Sequence, residues 1–388
     1  MVDDTDTHRD FPREEYEGRY RRARALMRAR GLDALLVTEE KNYIYFTGHR
    51  SQQNSIDKIR PYIFLLPLEG RPVALVMPFE VGHVRDGTWV EDIRTYDLLE
   101  HNAVLESILR ELGLAGGRIG AELGREQYLE LSLRDFEDLQ RRLPQAKFED
   151  AAEILLQLRA VKSPAEVEKC AQASALTARA LHRTLAEVRE GMAGLEVARR
   201  LRVALMEEGA DNITFLALGS GLDFSRGRIT CATPRPIRRG ETLTLDTGVE
   251  VAGYCSDVTR MAVVGAPSPE QRDLYRFMLE VQQACIQAFR PGVTCHDIMV
   301  VCQEALRLAG RTTQKVGRIG HGVGLESTEY PSLALGEMVP MEPGMVFACN
   351  PNYVTPIGYF NSEENLVVTE NGYRLLSQPA APAELPVI

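Results

Sequence analysis

Apolar residues recur at helical spacing early in the chain, where Tyr16, Tyr20, Ala23 and Met27 form one stripe with Arg19, Arg22, Arg24 and Arg28 around it. These arginines are expected to be a solvated helix face and not a binding patch. Short apolar runs follow at 35–38, 62–66 and 73–77, and again at 119–122 after Gly116-Gly117. Runs of that length bounded by turn residues predict buried strands. Helix alternating with strand predicts an α/β domain of mostly three layers. Near Lys162-Ser163-Pro164 the pattern changes. Ser163 as a cap, Pro164 in the first turn and Glu166 behind it are a helix start. Val167, Cys170, Ala171, Ala178, Leu181 and Leu185 form its apolar stripe, and Val197, Leu201, Ala204 and Leu205 form another before Gly209. Residues 243–264 read as two strands with a turn at Gly253. Helices over about 270–290 and 295–309 come next, the second capped by Thr294, and then strands at 345–348 and 366–369. Two helices and a strand pair thus occur twice, which hints at an internal duplication that no sequence repeat accompanies. The division expected is a disordered tail over 1–12, one domain over 13–160 and a second over 161–388.

Composition narrows the function classes. The chain has 388 residues, too many for one ordinary core, with 44% hydrophobic and 26% charged residues, as in a soluble globular protein. Its formal net charge of -10 disfavours nucleic acid and anionic membrane surfaces, both of which need a cationic footprint. No apolar run approaches the roughly 20 residues needed to cross a bilayer. The polar, acidic start has no hydrophobic signal core. Seven cysteines, an odd number with no CxxC pair, argue against a disulfide framework or a zinc ribbon and for a reducing cytoplasm.

Ligand-type residues are densest in the second half. They are Asp246 in Leu-Thr-Leu-Asp-Thr-Gly, Asp257 in Gly-Tyr-Cys-Ser-Asp-Val-Thr-Arg, His321 in Gly-His-Gly-Val-Gly and Glu363 in Asn-Ser-Glu-Glu-Asn. Singly, each has a bland reading: a turn aspartate, a structural histidine, a solvated acidic pair. Together, in or beside predicted strands and glycine turns, they favour a site, because such backbone holds side chains rigidly. Hard carboxylate oxygens with one imidazole suit Mn, Zn, Co or Fe better than Ca.

The ordered set Asp246, Asp257, His321, position 350 and Glu363 resembles the five-ligand pattern of the creatinase, prolidase and aminopeptidase P family. Flanking words agree: Arg239-Gly240-Glu241, Gly253 to Arg260, Pro291-Gly292, Gly320 to Leu325, Glu342 to Val346, and Val368-Thr369. Asn42 to Gly48 and Leu158 to Pro164 extend the likeness, so that it runs from about residue 14 to 370. The resemblance implies a creatinase/prolidase-like α/β N-terminal domain followed by an α+β pita-bread catalytic domain. It implies two divalent ions, held by Asp246, Asp257, His321, residue 350 and Glu363, with His321 and Glu363 the catalytic candidates. In such enzymes a metal-bound hydroxide attacks the substrate carbonyl. A homodimer, in which the N-terminal domain of one subunit helps close the other's cleft, is implied as well.

Several positions depart from that pattern. Residue 350 is Asn where the family has Glu, so one of four carboxylates is missing and one tightly held ion becomes a reasonable outcome. The family's second His, seven residues after the metal His, is Thr328 here. Its third, upstream His falls at Arg226-Gly227-Arg228, and its Arg two before the last Glu is Asn361. Thr328, Glu329, Arg228 and Asn361 are therefore the candidate substrate contacts. The expected activity is metal-dependent hydrolysis of a small C–N substrate, a dipeptide or another small molecule. Two alternatives stand beside it: a metal-independent creatinase-like hydrolase or small-zwitterion lyase, and a non-catalytic peptide-binding protein.

Overall fold

The computed structural model describes residues 9–52, 58–223, 231–311 and 317–388. The chain divides into two compact units, 1–159 and 160–388.

In the first unit, six strands form one sheet: β1 (Ala34–Val37), β2 (Ile63–Pro67), β3 (Val73–Val76), β4 (Asp92–Thr95), β5 (Arg118–Ala121) and β6 (Lys147–Asp150), in the order β4-β3-β2-β1-β5-β6. The helices are α1 (Arg13–Arg30), α2 (Glu40–Thr47), α3 (Val81–Gly87), α4 (His101–Glu111), α5 (Leu133–Arg142) and α6 (Ala152–Ala160). Side chains alternate across a strand, so the sheet has two apolar faces to cover. Ala34, Leu36, Ile63, Leu65 and Ile119 pack on Leu105, Ile108 and Leu109 of α4 and Leu139 of α5. On Phe64 lie the rings of Tyr20 from α1 and Phe46 from α2, at 5.9 and 5.2 Å. The three layers expected from the sequence are thus present.

Two expectations need correction here. Arg19 is no surface arginine. It is 1% exposed, donates to the Tyr45 carbonyl at 2.6 Å and lies against the rings of Phe11, Tyr16 and Tyr45. The aromatic faces, the Tyr45 carbonyl and the Glu15 carboxylate at 3.3 Å replace its water, which a Lys at this position could not arrange so well. Of the expected disordered tail, residues 1–8 lie outside the described residues, while Arg9 and Phe11 are packed. Arg9 stacks 3.9 Å over Trp89, and Phe11 is buried and accepts from Trp89 Nε1 at 3.0 Å.

The second unit repeats an order of elements. Helices α7 (Pro164–Glu187) and α8 (Gly194–Glu207) precede β7 (Asn212–Ser220), β8 (Thr242–Val251), β9 (Tyr254–Cys255) and β10 (Val258–Val263). Helices α9 (Pro269–Gln287) and α10 (Cys295–Leu308) precede β11 (Gly320–Gly322), β12 (Glu329–Ser332), β13 (Val346–Cys349), β14 (Asn352–Thr355), β15 (Gly358–Asn361), β16 (Glu364–Thr369) and β17 (Gly372–Leu375). The helix starts read from sequence have their chemistry in place: Ser163 with Glu166 and Thr294 with Asp297 are both reciprocal capping boxes. Each half has its own core. One joins α7 and α8 to Leu243, Leu245 and Val258, and the other joins α9 and α10 to Phe347 and Leu366. The first sheet runs β10-β8-β7 with β9 paired to β8, and the second runs β12-β11-β13-β16-β17. The turn read at Gly253 is there, with Ala252 and Gly253 both at positive φ.

The two sheets meet where Thr259 of β10 bridges Glu363, just before β16. Two buried polar groups tie this meeting point. Arg260 donates to the carbonyls of Thr259 and Glu363, both at 2.9 Å, and to Glu364 Oε2 at 3.0 Å. Asn365 holds Asp257 at both backbone atoms, accepting from its N–H at 2.9 Å and donating to its carbonyl at 2.7 Å. Removing one member of a buried ion pair strands the other. Arg260→Ala should therefore cost about 3–5 kcal/mol, read as a fall in the urea midpoint. A cost within the ~0.5 kcal/mol typical of surface substitutions would show that Glu364 finds other solvation.

Candidate metal centre

Each candidate ligand is set by the strand it sits on. Asp246 lies in β8, opposite Thr259 on one side and Ala217 on the other. Asp257 enters β10 with its backbone gripped by Asn365. His321 is the middle residue of β11, between Ser332 of β12 and Ala348 of β13. The glycines around it are required by close approach. A Cβ on Gly320 would collide with the Ala348 carbonyl, and one on Gly322 would stand 2.5 Å from the Tyr330 carbonyl. Asn350 follows β13, and Glu363 precedes β16.

These residues converge. Single atoms of Asp257, His321 and Glu363 all lie within 4.8 Å of one another, and all three residues are buried. The Asp246 and Asp257 carboxyls lie side by side, and Asp246 also acts electrostatically on Asp257 and Glu363. Thr259 Oγ1 donates to Glu363 Oε2 at 2.8 Å. Asn350 is hydrogen-bonded to Glu363 as well. Since a carboxylate only accepts, the Asn350 amide is the donor.

The electrostatics are those of an anionic cage. Burial raises Asp246 to about 6. Burial, with the neighbouring Glu363 and Asp246, pushes Asp257 well above the usual carboxylate range, and Glu363 moves the same way through burial and Asp246. His321 goes down to about 4, chiefly through burial, so the ring is neutral near pH 7. Its Nδ1 lies 3.1 Å from the Gly322 carbonyl, which can only accept, so Nδ1 carries the hydrogen. Nε2 then presents a lone pair to Asp257 Oδ2, 3.4 Å away. With Asp257 ionised, two acceptors would face each other across that gap. Moreover, Asp246 Oδ1, Asp257 Oδ1 and Glu363 Oε1 are all buried without a hydrogen-bond partner. Orphaned buried acceptors are costly, and a cation held among Asp257, His321 and Glu363 would relieve part of that cost. The donor set fits a divalent ion of the Mn or Zn kind.

The comparisons with known proteins agree with this geometry. The profile of Metallopeptidase family M24 matches residues 168–370, more than half of the chain, and that of the Creatinase/Prolidase N-terminal domain matches residues 19–161. The chain belongs to the metallopeptidase family M24. It is similar to the uncharacterized peptidase YqhT of Bacillus subtilis, 26% identical over 92% of this chain and 96% of that protein. Among solved structures it resembles dipeptidase PepE from Mycobacterium ulcerans, 27% identical with a TM-score of 0.85 over 97% of this chain and 99% of that one. It also resembles the X-Pro aminopeptidase from Thermotoga maritima, 26% identical with a TM-score of 0.81 over 95% and 99%. The fold of this M24 member is therefore the two-domain pita-bread fold, and the chain is a divergent hydrolase of that family.

The four substrate-contact candidates scatter. Arg228 lies outside the described residues. Thr328 is exposed. Glu329 is withdrawn as a substrate contact, because it is buried and its Oε2 is bound to Lys162 Nζ at 2.9 Å. Asn361 is buried, hydrogen-bonded to Tyr359, and keeps Oδ1 without a partner. Four residues join the site beside the ligand candidates: Thr259, Arg260, Asn365 and Tyr359. The Tyr359 hydroxyl is raised by burial and by Asp246 and Glu363 beside it. The first three were visible only as neighbours of the acidic residues, and spacing says nothing of which sheet edge they face.

Metal-free protein should lose stability as the raised carboxyls ionise. A carboxyl raised in the folded state stabilises the fold below its ordinary range near pH 4, and that contribution is lost as pH rises through about 6 for Asp246. His321, being lowered, works the other way, and its contribution is complete above about 6.5. Thermal melts in chelator should therefore show wild type losing melting temperature relative to Asp246→Asn as pH rises from about 4 to 6. A difference between the two that stays constant over that interval would show that burial does not raise Asp246.

Proposed function

We propose that this protein hydrolyses a small C–N substrate of dipeptide size with one tightly held divalent cation. The observation that supports the reading is the meeting of Asp257, His321 and Glu363 within 4.8 Å, with Asp246 beside Asp257 and one oxygen of each of the three acids left without a partner. In this reading Asp246, Asp257 and Glu363 are the principal ligands, and His321 Nε2 completes the set. Asn350 stands where a fifth ligand would be, but its amide donates to Glu363. A second ion would then lack the anionic charge it needs. A divalent cation held here supplies Lewis-acid polarisation of a carbonyl and activation of water.

The remaining work falls to this chain's own groups. Thr259 and Asn350 orient Glu363 by donating to it, and the Gly322 carbonyl holds the His321 tautomer. Tyr359, protonated at neutral pH and beside Asp246 and Glu363, is the group we assign to hydrogen-bonding the substrate. Asn361 keeps Tyr359 in place, and Thr328 is retained as a contact at the exposed rim. The similar X-Pro aminopeptidase and dipeptidase suggest an Xaa-Pro or other dipeptide as the first substrates to try. Manganese is our choice of ion for an oxygen-rich set. We further read the protein as a cytoplasmic homodimer. All seven cysteines are free, which suits a reducing compartment, and the dimer rests on the family resemblance.

Metal content and turnover test the reading together. Asn350→Glu should bind about one equivalent more Mn2+ than wild type, and a chelator should remove dipeptide hydrolysis. Full turnover by metal-free protein, lost only in His321→Ala, would replace this reading with a metal-independent one. The affinity should also fall on acidification below about pH 6, where protons compete for the raised carboxyls. Metal titrations at pH 5.5 and 7.5 measure it, and equal affinities would exclude proton competition at this site.

A further inference from the structure

The N-terminal unit holds a second group of ligand-type side chains that the proposed chemistry does not use. His49 follows Gly48, the residue that ends α2. Glu80 ends a short 3-10 turn, Pro78–Glu80, and His83 lies one helical turn further on in α3. In the sequence, His49 stands apart from Glu80 and His83 and nothing marks the three as a set. The fold brings their ligand atoms within 4.8 Å of one another.

We propose that His49, Glu80 and His83 form a site for a first-row divalent cation, Zn2+ by preference, built wholly from the N-terminal unit. Glu80 Oε2 lies 3.5 Å from His49 Nε2 and 3.7 Å from His83 Nδ1. A tetrahedral ion about 2.1 Å from each donor needs donors about 3.4 Å apart, so both edges match with small movements. Neither distance is a hydrogen bond. Glu80 Oε2 and both nitrogens of His49 are buried with no hydrogen-bond partner, although His49 is 2% and Glu80 6% exposed. Such groups are rarely left orphaned.

The surroundings orient these donors as supports behind metal ligands do. Ser51 Oγ donates to the other Glu80 oxygen, Oε1, at 3.3 Å, and Tyr62 Oη donates to Ser51 Oγ at 3.2 Å. Oε2 is thereby left for the two imidazoles. The rings of Tyr43 and Tyr62 flank His49 at 5.9 and 5.6 Å and fix its plane. Burial also keeps His49 neutral, down to about 3, which is the form that binds metal. His83 is exposed and gives the ion a way in. Two imidazoles and one carboxylate are the donor set of three-ligand zinc sites, which keep a fourth position for water or another group.

The test uses the full chain. Asp246→Asn/Asp257→Asn disables the carboxylate cage, and Co2+ is then titrated by its visible absorption. Saturable binding of about one equivalent is expected, weakened about tenfold or more by His83→Ala, an exposed change that should not disturb folding. No saturable binding in the double variant, or binding that His83→Ala leaves unchanged, overturns the proposal. If the double variant does not fold, His83→Ala in the otherwise native chain should lower total bound Co2+ by about one equivalent, and an unchanged total overturns it equally. The cage and this site are thus separated: a dead cage with Co2+ still bound through His83 leaves the second site standing alone.

Discussion

The candidate centre depends on one seam, where the two antiparallel sheets of the C-terminal unit meet at Thr259 and Glu363. A seam between sheets is a poor place for backbone, since edge groups lose their ladder partners. Arg260 and Asn365 supply those partners. One reaches across to the Glu363 carbonyl, and the other closes both backbone atoms of Asp257. Both side chains are buried, and both spend their polar atoms on main chain next to an acidic residue. The carboxylates are therefore held by strands and by these two ties rather than by loops, which is what convergence of like charges demands.

That convergence has an electrostatic cost without a counter-charge. Three carboxyls and a neutral imidazole share a buried space, and their raised or lowered proton affinities follow from desolvation and mutual repulsion. The same features that destabilise the empty cage make it a strong binder. A cation held there would convert repulsion into attraction. Stability and function are opposed here in the way expected of a working site.

Asn350 shows how one uncharged atom group alters such a site. Glutamate there would add an acceptor and a charge. Asparagine instead donates to Glu363, so it stabilises the anionic form of a neighbour without adding to the total. In the one-ion reading proposed above, this position supports a ligand and does not serve as one.

Much of this was legible in the chain. Capping boxes at Ser163 and Thr294, the strand runs and the acidic words around Asp246, Asp257, His321 and Glu363 are local signals, because caps, periodicity and ligand-bearing turns act over a few residues. Hence the fold family and the candidate residues Asp257, His321 and Glu363 that the structure brings together could be read without coordinates. Burial of individual polar groups could not. Arg19 looked like a surface arginine, and Glu329 looked like a pocket residue until Lys162 was found against it. Which residues tie the seam, which carboxylate oxygens are left without partners, and that His49 meets Glu80 and His83 are questions of contact between segments distant in sequence. The sequence by itself determined the elements and the kinds of donor available. Only the tertiary structure decided which donors share one desolvated space, because that depends on sheet pairing and close approach, and no spacing along the chain encodes them.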